Sequence, residues 1–449
     1  MGPPQHQSVH RCLPARAAVN GDRPNGLLRR AATVASGAAL GQIALLAVAP
    51  VLTRWYSPEE FGLFGAFFAA SAILGLVATL RLELAIPLPS SDQDAAAVAR
   101  LADVSVIAIA MVVLAVVTMA SDSFLLAPLG VTAWLLAPSA LAIGAFNIRT
   151  HRAVRHDRFA TAGRARVVLG VGTAVTQLAL APLGLGGVGL ALGPLVGYVA
   201  ASLLLSTGAP TTPASGSTMK EQLRRYRRFP LFSVWSALFN RGALELPTIV
   251  LLALFGQASA GAFYVAYRIT VLPANLLTDS LHQAFLHRGG ALARTDAAAL
   301  ASLTRRTVAR LAAAAIPVCG LGMLLAPSLV PRVFGAEWDA AGNYARALLP
   351  AIGASIVVAP VASIMWITDR QRTELVRNIA RFVLVLAAFT LAEARSWGPE
   401  RTVWAYSAAM VAGQLLLLVF VLHAVSDHER SRTGDSADAP SSPQAIGQP

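Results

Sequence analysis

Lysine is almost absent from this chain: Lys220 is the single one among 36 basic residues. A phosphate-binding loop of the Gly-x-x-x-x-Gly-Lys-Ser/Thr form needs Lys before a hydroxyl residue, and Lys220 is followed by Glu221, which excludes that kind of ATP site. Cysteine occurs twice, as Cys12 and Cys319, too few and too far apart for a disulfide framework. Neither a paired-Cys motif nor His-Glu-x-x-His occurs, and the eight His are scattered over tails and helix ends, so no metal centre is expected. Charge is scarce as well. Only 13% of residues are Asp, Glu, Lys or Arg, about half the share of an ordinary soluble domain. What fills the chain instead is apolar: 55% hydrophobic residues and a mean hydropathy of +0.60. The composition is that of an all-α polytopic membrane protein. Because arginine replaces lysine throughout, its choice at any one site carries little information.

A spanning helix needs about 20 largely apolar residues. Twelve windows qualify: 31–52, 61–86, 101–120, 124–148, 167–183, 188–205, 230–255, 261–286, 308–330, 345–368, 379–392 and 402–425. The first is too long for a cleaved signal segment, whose apolar core runs to about 7–15 residues. Basic residues should gather on the cytoplasmic side. With both termini inside, Arg54, Arg332, Arg346, Arg395 and Arg401 are counted on the outer side and Arg81, Arg241 and Arg268 in the spans, while Arg310, Arg346 and Arg381, within the first three residues of their windows, are counted with the adjoining segments. The remaining basic residues are assigned to inner segments. This asymmetry accounts for the net charge of +13 without nucleic acid as a partner.

The expected organisation is a disordered basic tail (1–30), a six-helix lobe (31–205), a basic cytoplasmic linker (206–229), a second six-helix lobe (230–425) and a disordered tail (426–449). The linker ends in Arg224-Arg225-Tyr226-Arg227-Arg228, a topological anchor that would also suit anionic lipid headgroups. Two short matches relate the lobes. Gly62-Leu-Phe64 opens the second window and Gly261-Ala-Phe263 the eighth; Asp94-Ala-Ala-Ala and Asp296-Ala-Ala-Ala follow them. Transporters with internal repeats bind substrate between the repeats near the midplane.

The stretch 230–288 carries the chemistry. It reads as two apolar helices joined by a turn over Phe255–Gly261, with Arg241, Glu245 and Arg268 inside. Each such charge costs about 2.5–3.5 kcal/mol at mid-bilayer unless it faces a partner or a wet cavity. Arg241 lies thirteen residues past Arg228, roughly 20 Å deep, and Glu245 is one helical turn on, on the same face. Two readings fit: a self-neutralising pair that holds the helix in the bundle, or a cavity wall in which Arg241 takes a phosphate oxygen and Glu245 tunes it or carries a coupling proton. Pro247 is expected to loosen the helix there. Arg268 sits roughly 10 Å below the outer end. It either snorkels outward or, with Asn275 and the Pro273 break below it, faces the cavity. Arg81 is expected near the inner interface, as an interfacial anchor or a contact to the substrate, with Glu83, two residues on, pointing to another side. Glu83 and Asp279 join Glu245 as coupling-ion candidates. Gln42, Asn147, Gln177 and Gln414 suit interhelical hydrogen bonds, and Gly37-x-x-x-Gly41 and Gly193-x-x-x-Gly197 suit close helix packing. No catalytic residue and no cofactor is expected.

Five stretches, in order, resemble one family. They are Pro50-Val-Leu-Thr-Arg-Trp-Tyr-Ser-Pro-Glu-Glu-Phe-Gly62, Leu80-Arg-Leu-Glu-Leu-Ala-Ile-Pro87, Phe229-Pro-Leu-Phe232, Ala260-Gly-Ala-Phe-Tyr-Val-Ala-Tyr-Arg-Ile-Thr-Val-Leu-Pro273 with Gln283-Ala-Phe285, and Phe334-Gly-Ala-Glu-Trp-Asp-Ala-Ala-Gly-Asn-Tyr344. Together they resemble the polysaccharide-repeat flippases, the Wzx-type branch of the MOP exporter superfamily, over roughly residues 28–425. The resemblance implies a transporter of the bacterial inner membrane, not an enzyme. Such a protein moves an undecaprenyl-pyrophosphate-linked oligosaccharide from the inner to the outer leaflet by alternating access of two lobes. A polysaccharide polymerase and glycosyltransferases are the partners it implies. The family's arginine in helix eight falls on Arg268, and its Arg-Leu-Glu on Arg81, Leu82 and Glu83. Arg241, Glu245 and Asn275 rest on the physical argument alone. Three rivals stand beside this reading: a small-molecule or drug antiporter of the same superfamily, a membrane polysaccharide polymerase or ligase, and a non-transporting assembly scaffold.

Overall fold

A computed structural model describes residues 24–120, 123, 126–207, 219–367 and 371–437. Among them all regular structure is helical. The order is α1 (Pro24–Trp55), α2 (Pro58–Ala78), α3 (Asp92–Met119), α4 (Leu136–Arg155), α5 (Phe159–Leu180), α6 (Gly186–Ser206), α7 (Met219–Tyr226), α8 (Val234–Thr295), α9 (Ala297–Phe334), α10 (Asp339–Val358), α11 (Ile364–Ile367), α12 (Gln371–Ala394) and α13 (Pro399–Ala437). Eleven helical segments are long and apolar enough to cross a membrane. α1 begins inside the tail expected to be disordered, and α13 runs past Ser426 to Ala437. Residues 1–23, 208–218 and 438–449, which include parts of both expected tails and of the linker, lie outside the described residues.

Local chemistry sets several helix starts. Ser57 and Glu60 form a reciprocal cap on α2: the Glu60 amide donates to Ser57 Oγ at 3.3 Å and the Ser57 amide to Glu60 Oε2 at 2.8 Å, with Pro58 at the first helical position. Asp296 caps α9 through the Ala299 amide at 2.8 Å. Small residues set the crossings. α1 and α5 cross where Gly37 meets the Gly163 carbonyl, so close that Gly37 has no room for a Cβ. Gly193 and Gly197 of α6 lie against Gln177 and Thr173 of α5. Both motifs are packing faces, as their spacing predicts. On α9 the apolar Ile316, Val318, Leu321 and Leu324 point outward, as a lipid-facing surface requires.

α1 and α3–α6 pack mainly within α1–α6, and α9–α13 mainly within α8–α13, whereas α2 packs most against α8. The largest bridge between the two groups is α2 against α8. α8 is one 62-residue helical stretch broken at Gly256 (φ 81, ψ −179), an extended, positive-φ geometry that only glycine adopts without strain. Arg241 and Arg268 are 27 residues apart, about 40 Å along a straight helix. Yet both line one cavity, so the two arms of α8 fold back on each other. The expected turn over Phe255–Gly261 is thus a single-residue break, and Gln257–Gly261 is helical. Neither Pro247 nor Pro273 interrupts its arm.

Candidate functional site

Two cavities adjoin, one between the helix groups and the other almost wholly within α1–α6. The larger, about 320 Å³, is walled on one side by Gln42, Arg166 and Tyr198 and on the other by Arg241, Glu245 and Arg268. Asn275 completes its wall. The second, about 290 Å³, contains Arg81, Glu83, Ser71 and Asn147. Phe68, Pro194, Tyr198 and Arg241 line both, so the cavities adjoin at Arg241.

α8 brings Arg241 and Glu245 into the larger cavity one helical turn apart. The Arg241 guanidinium lies 2.8 Å from Glu245 Oε1, with side chains 40% and 12% exposed. The exposed cation points into the cavity and the buried carboxylate lies behind it. The two side chains are thus an ion pair that also lines the cavity. On the other arm, Arg268 does not snorkel outward. It donates to the Tyr264 hydroxyl at 3.1 Å and lies over that ring, 5.9 Å from its centroid. Cation–π contact and hydrogen bond fix the guanidinium against the wall.

Glu83 does not point away from Arg81 as expected. α2 ends at Ala78, and Leu80 and Arg81 both take positive φ, 49° and 60°. This left-handed step destroys the helical register under which Glu83 would face elsewhere. Arg81 Nη1 instead lies 3.6 Å from Glu83 Oε1, with Glu83 almost fully buried. Arg81 thus lines a cavity beside Glu83. Asp279 is exposed and lines neither cavity, so the structure separates it from Glu245 and Glu83. Gln42 and Asn147, expected to bridge helices, line the cavities. Gln177 and Gln414 do bridge helices, donating to the Leu190 carbonyl at 2.9 Å and to Ser355 Oγ at 3.0 Å.

Sequence reasoning missed Arg166. It precedes the apolar window at Val167 by one residue and so reads as part of an inner loop. α5 begins earlier, at Phe159, which carries Arg166 into the cavity wall. Its Nε is buried without a hydrogen-bond partner.

At one end of the molecule the helix groups are in contact. Trp338 is fully buried and donates from Nε1 to the Thr53 carbonyl at 3.2 Å. Phe61 packs edge-on against Trp338, with centroids 5.1 Å apart. Gly62 abuts the Gln257 carbonyl, and Gly261 abuts the Pro58 carbonyl.

The model of a family described as "Polysaccharide biosynthesis protein" matches residues 51–343. The chain belongs to that family. Its fold is that of MOP-superfamily transporters. The lipid II flippase MurJ, in an inward closed conformation, superposes with a TM-score of 0.67 at 12% identity, covering 92% of this chain and 94% of that one. An outward-facing multidrug resistance MATE family transporter of the MOP superfamily gives 0.59 at 18% identity, over 90% and 97%. A MOP superfamily transporter from Pyrococcus furiosus gives 0.52 at 16%, over 89% and 96%. No curated protein matches the chain. The chain is therefore a multi-pass membrane protein of a polysaccharide biosynthesis family with a transporter fold.

Proposed function

We propose that this protein flips undecaprenyl-pyrophosphate-linked oligosaccharide repeat units from the cytoplasmic to the outer leaflet of the bacterial inner membrane, as a transporter and not an enzyme. The observation that carries this reading is the convergence of Arg166, Arg241 and Arg268 on one cavity between the helix groups, in a chain of a polysaccharide biosynthesis family. A guanidinium presents a planar fork of donors that matches paired phosphate oxygens. Behind it, Glu245 limits the net positive charge, so a bound pyrophosphate can also leave. Arg81 and Glu83 extend the polar surface along which the sugars would lie, while the polyprenyl chain stays in lipid.

Counting the two arms of α8 separately gives twelve spans, in two six-helix lobes with both termini inside. The Trp338–Thr53 and Gly62–Gly261 contacts then lie on the outer face, and the cavity is closed to the outside. Alternating access would break these contacts and re-form equivalent ones on the inner side. Glu245 and Glu83 are the carboxylates placed to carry a coupling ion. Glycosyltransferases and a polymerase are the partners that would supply and consume the substrate.

Cells lacking the protein provide the test. Mass spectrometry of their lipid extracts should show polyprenyl-pyrophosphate oligosaccharide accumulating in a pool protected from added glycosidase. A pool open to glycosidase would instead indicate a polymerase or ligase. A small-molecule antiporter is the second reading, favoured by the buried carboxylates Glu83 and Glu245; drug efflux without lipid accumulation would support it.

A further inference from the structure

Arg381 is a buried cation in a candidate membrane span, and among the described residues no carboxylate pairs with it. It stands ten residues into α12 and is 4% exposed. One guanidinium nitrogen donates to both the backbone carbonyl and the side-chain oxygen of Asn240, which are neutral acceptors. Its Nε is buried without a hydrogen-bond partner. Arginine does not shed its proton in proteins, and an unpaired charge removed from water is strongly unfavourable. Something of opposite sign should therefore accompany it.

The surroundings supply a place. Arg381 lines a third cavity of about 150 Å³ within the C-terminal helix group, together with Tyr267, Asn275, Ser355, Tyr406 and Gln414. Leu244, Tyr267, Val271 and Asn275 also line the central cavity, so the chamber adjoins it across these four residues. The space for the arginine stem is specific: a Cβ at Gly413 would stand 2.8 Å from Arg381 Cγ. The ionisable side chains facing this chamber are Arg381 and the phenols of Tyr267 and Tyr406, so the only fixed full charge at neutral pH is +1. The donors at hand are the guanidinium, the Tyr267 hydroxyl and the Asn275 amide. A liquid water occupies about 30 Å³, so the chamber has room for one small ion with a few waters.

We propose that this chamber binds one small monovalent anion of the halide class, held by Arg381 and neutralising it. A divalent anion would over-compensate the single charge, and water alone would not compensate it. The site is separate from the central arginines and stands whether or not the transported substrate is a lipid pyrophosphate.

The test uses the purified full chain. Its thermal midpoint is followed during titration with sodium bromide, with sodium gluconate holding ionic strength constant, and bromide is located in crystals by anomalous scattering. The expected result is a saturable rise in midpoint and a bromide peak beside the Arg381 guanidinium. The rise should persist in Arg268→Gln. In Tyr267→Phe, which keeps the charge, the halide midpoint should weaken about tenfold, the worth of one hydrogen bond to an ion. In Arg381→Gln, if it folds, the response should vanish. Bromide found only among Arg166, Arg241 and Arg268, or a Tyr267→Phe titration identical to wild type, would overturn the proposal.

Discussion

Gly261 faces the backbone of Gly62 so closely that a Cβ on it would stand 2.8 Å from the Gly62 amide nitrogen. These glycines open the two matching motifs of the sequence, Gly62-Leu-Phe64 and Gly261-Ala-Phe263. The two matching motifs are thus also in contact: a glycine in each lets α2 and the second arm of α8 touch.

A side chain at either glycine forces backbone apart. Gly62→Val and Gly261→Val should shift the protein away from the closed arrangement. In a background lacking Cys12 and Cys319, a cysteine replacing Tyr264 should react several times faster with a membrane-impermeant maleimide. Unchanged labelling would mean that this contact does not close the cavity.

Trp338→Phe acts on the same closure more gently. It removes the hydrogen bond to the Thr53 carbonyl, worth about 1 kcal/mol, and keeps the aromatic contact with Phe61. The labelling rate should rise in the same direction, by less than for Gly261→Val.

Glu245→Gln leaves Arg241 without its counter-ion. Removing one partner of a fully buried pair costs about 3–5 kcal/mol. Here the Arg241 side chain is 40% exposed, so solvent screening should reduce the loss to roughly 1–2 kcal/mol. The double variant Arg241→Gln/Glu245→Gln should recover most of that stability without recovering transport. Recovery of both would make the pair a structural element only.

Arg166→Gln should reduce transport at least tenfold while the protein remains folded in the membrane, because its Nε has no internal partner to lose. Transport assays in parallel with detergent-solubilised thermal melts separate the two effects. A normal transport rate would remove Arg166 from the binding surface.

Composition and run length made the membrane class and helical architecture legible, and the cost of burying charge singled out Arg241, Glu245 and Arg268. All three line the central cavity. What stayed hidden depended on backbone geometry or tertiary packing. Two consecutive positive-φ residues turn Arg81 towards Glu83, and no periodicity signals them. Arg166 and Arg381 flank or interrupt apolar windows near basic clusters, so a count of inner positive charge absorbs both. Only the helix starts at Phe159 and Gln371 place them inside.

The most direct measurement uses proteoliposomes carrying the purified protein and a fluorescent polyprenyl-pyrophosphate oligosaccharide, with sugar accessibility followed by an external glycosidase. With wild-type protein, the fraction cleaved should rise from about half towards completion as substrate from the inner leaflet appears outside. Arg241→Gln and Arg268→Gln, reconstituted at the same density, should stop near half. Complete cleavage by both variants would contradict the assignment of the cavity arginines to the pyrophosphate.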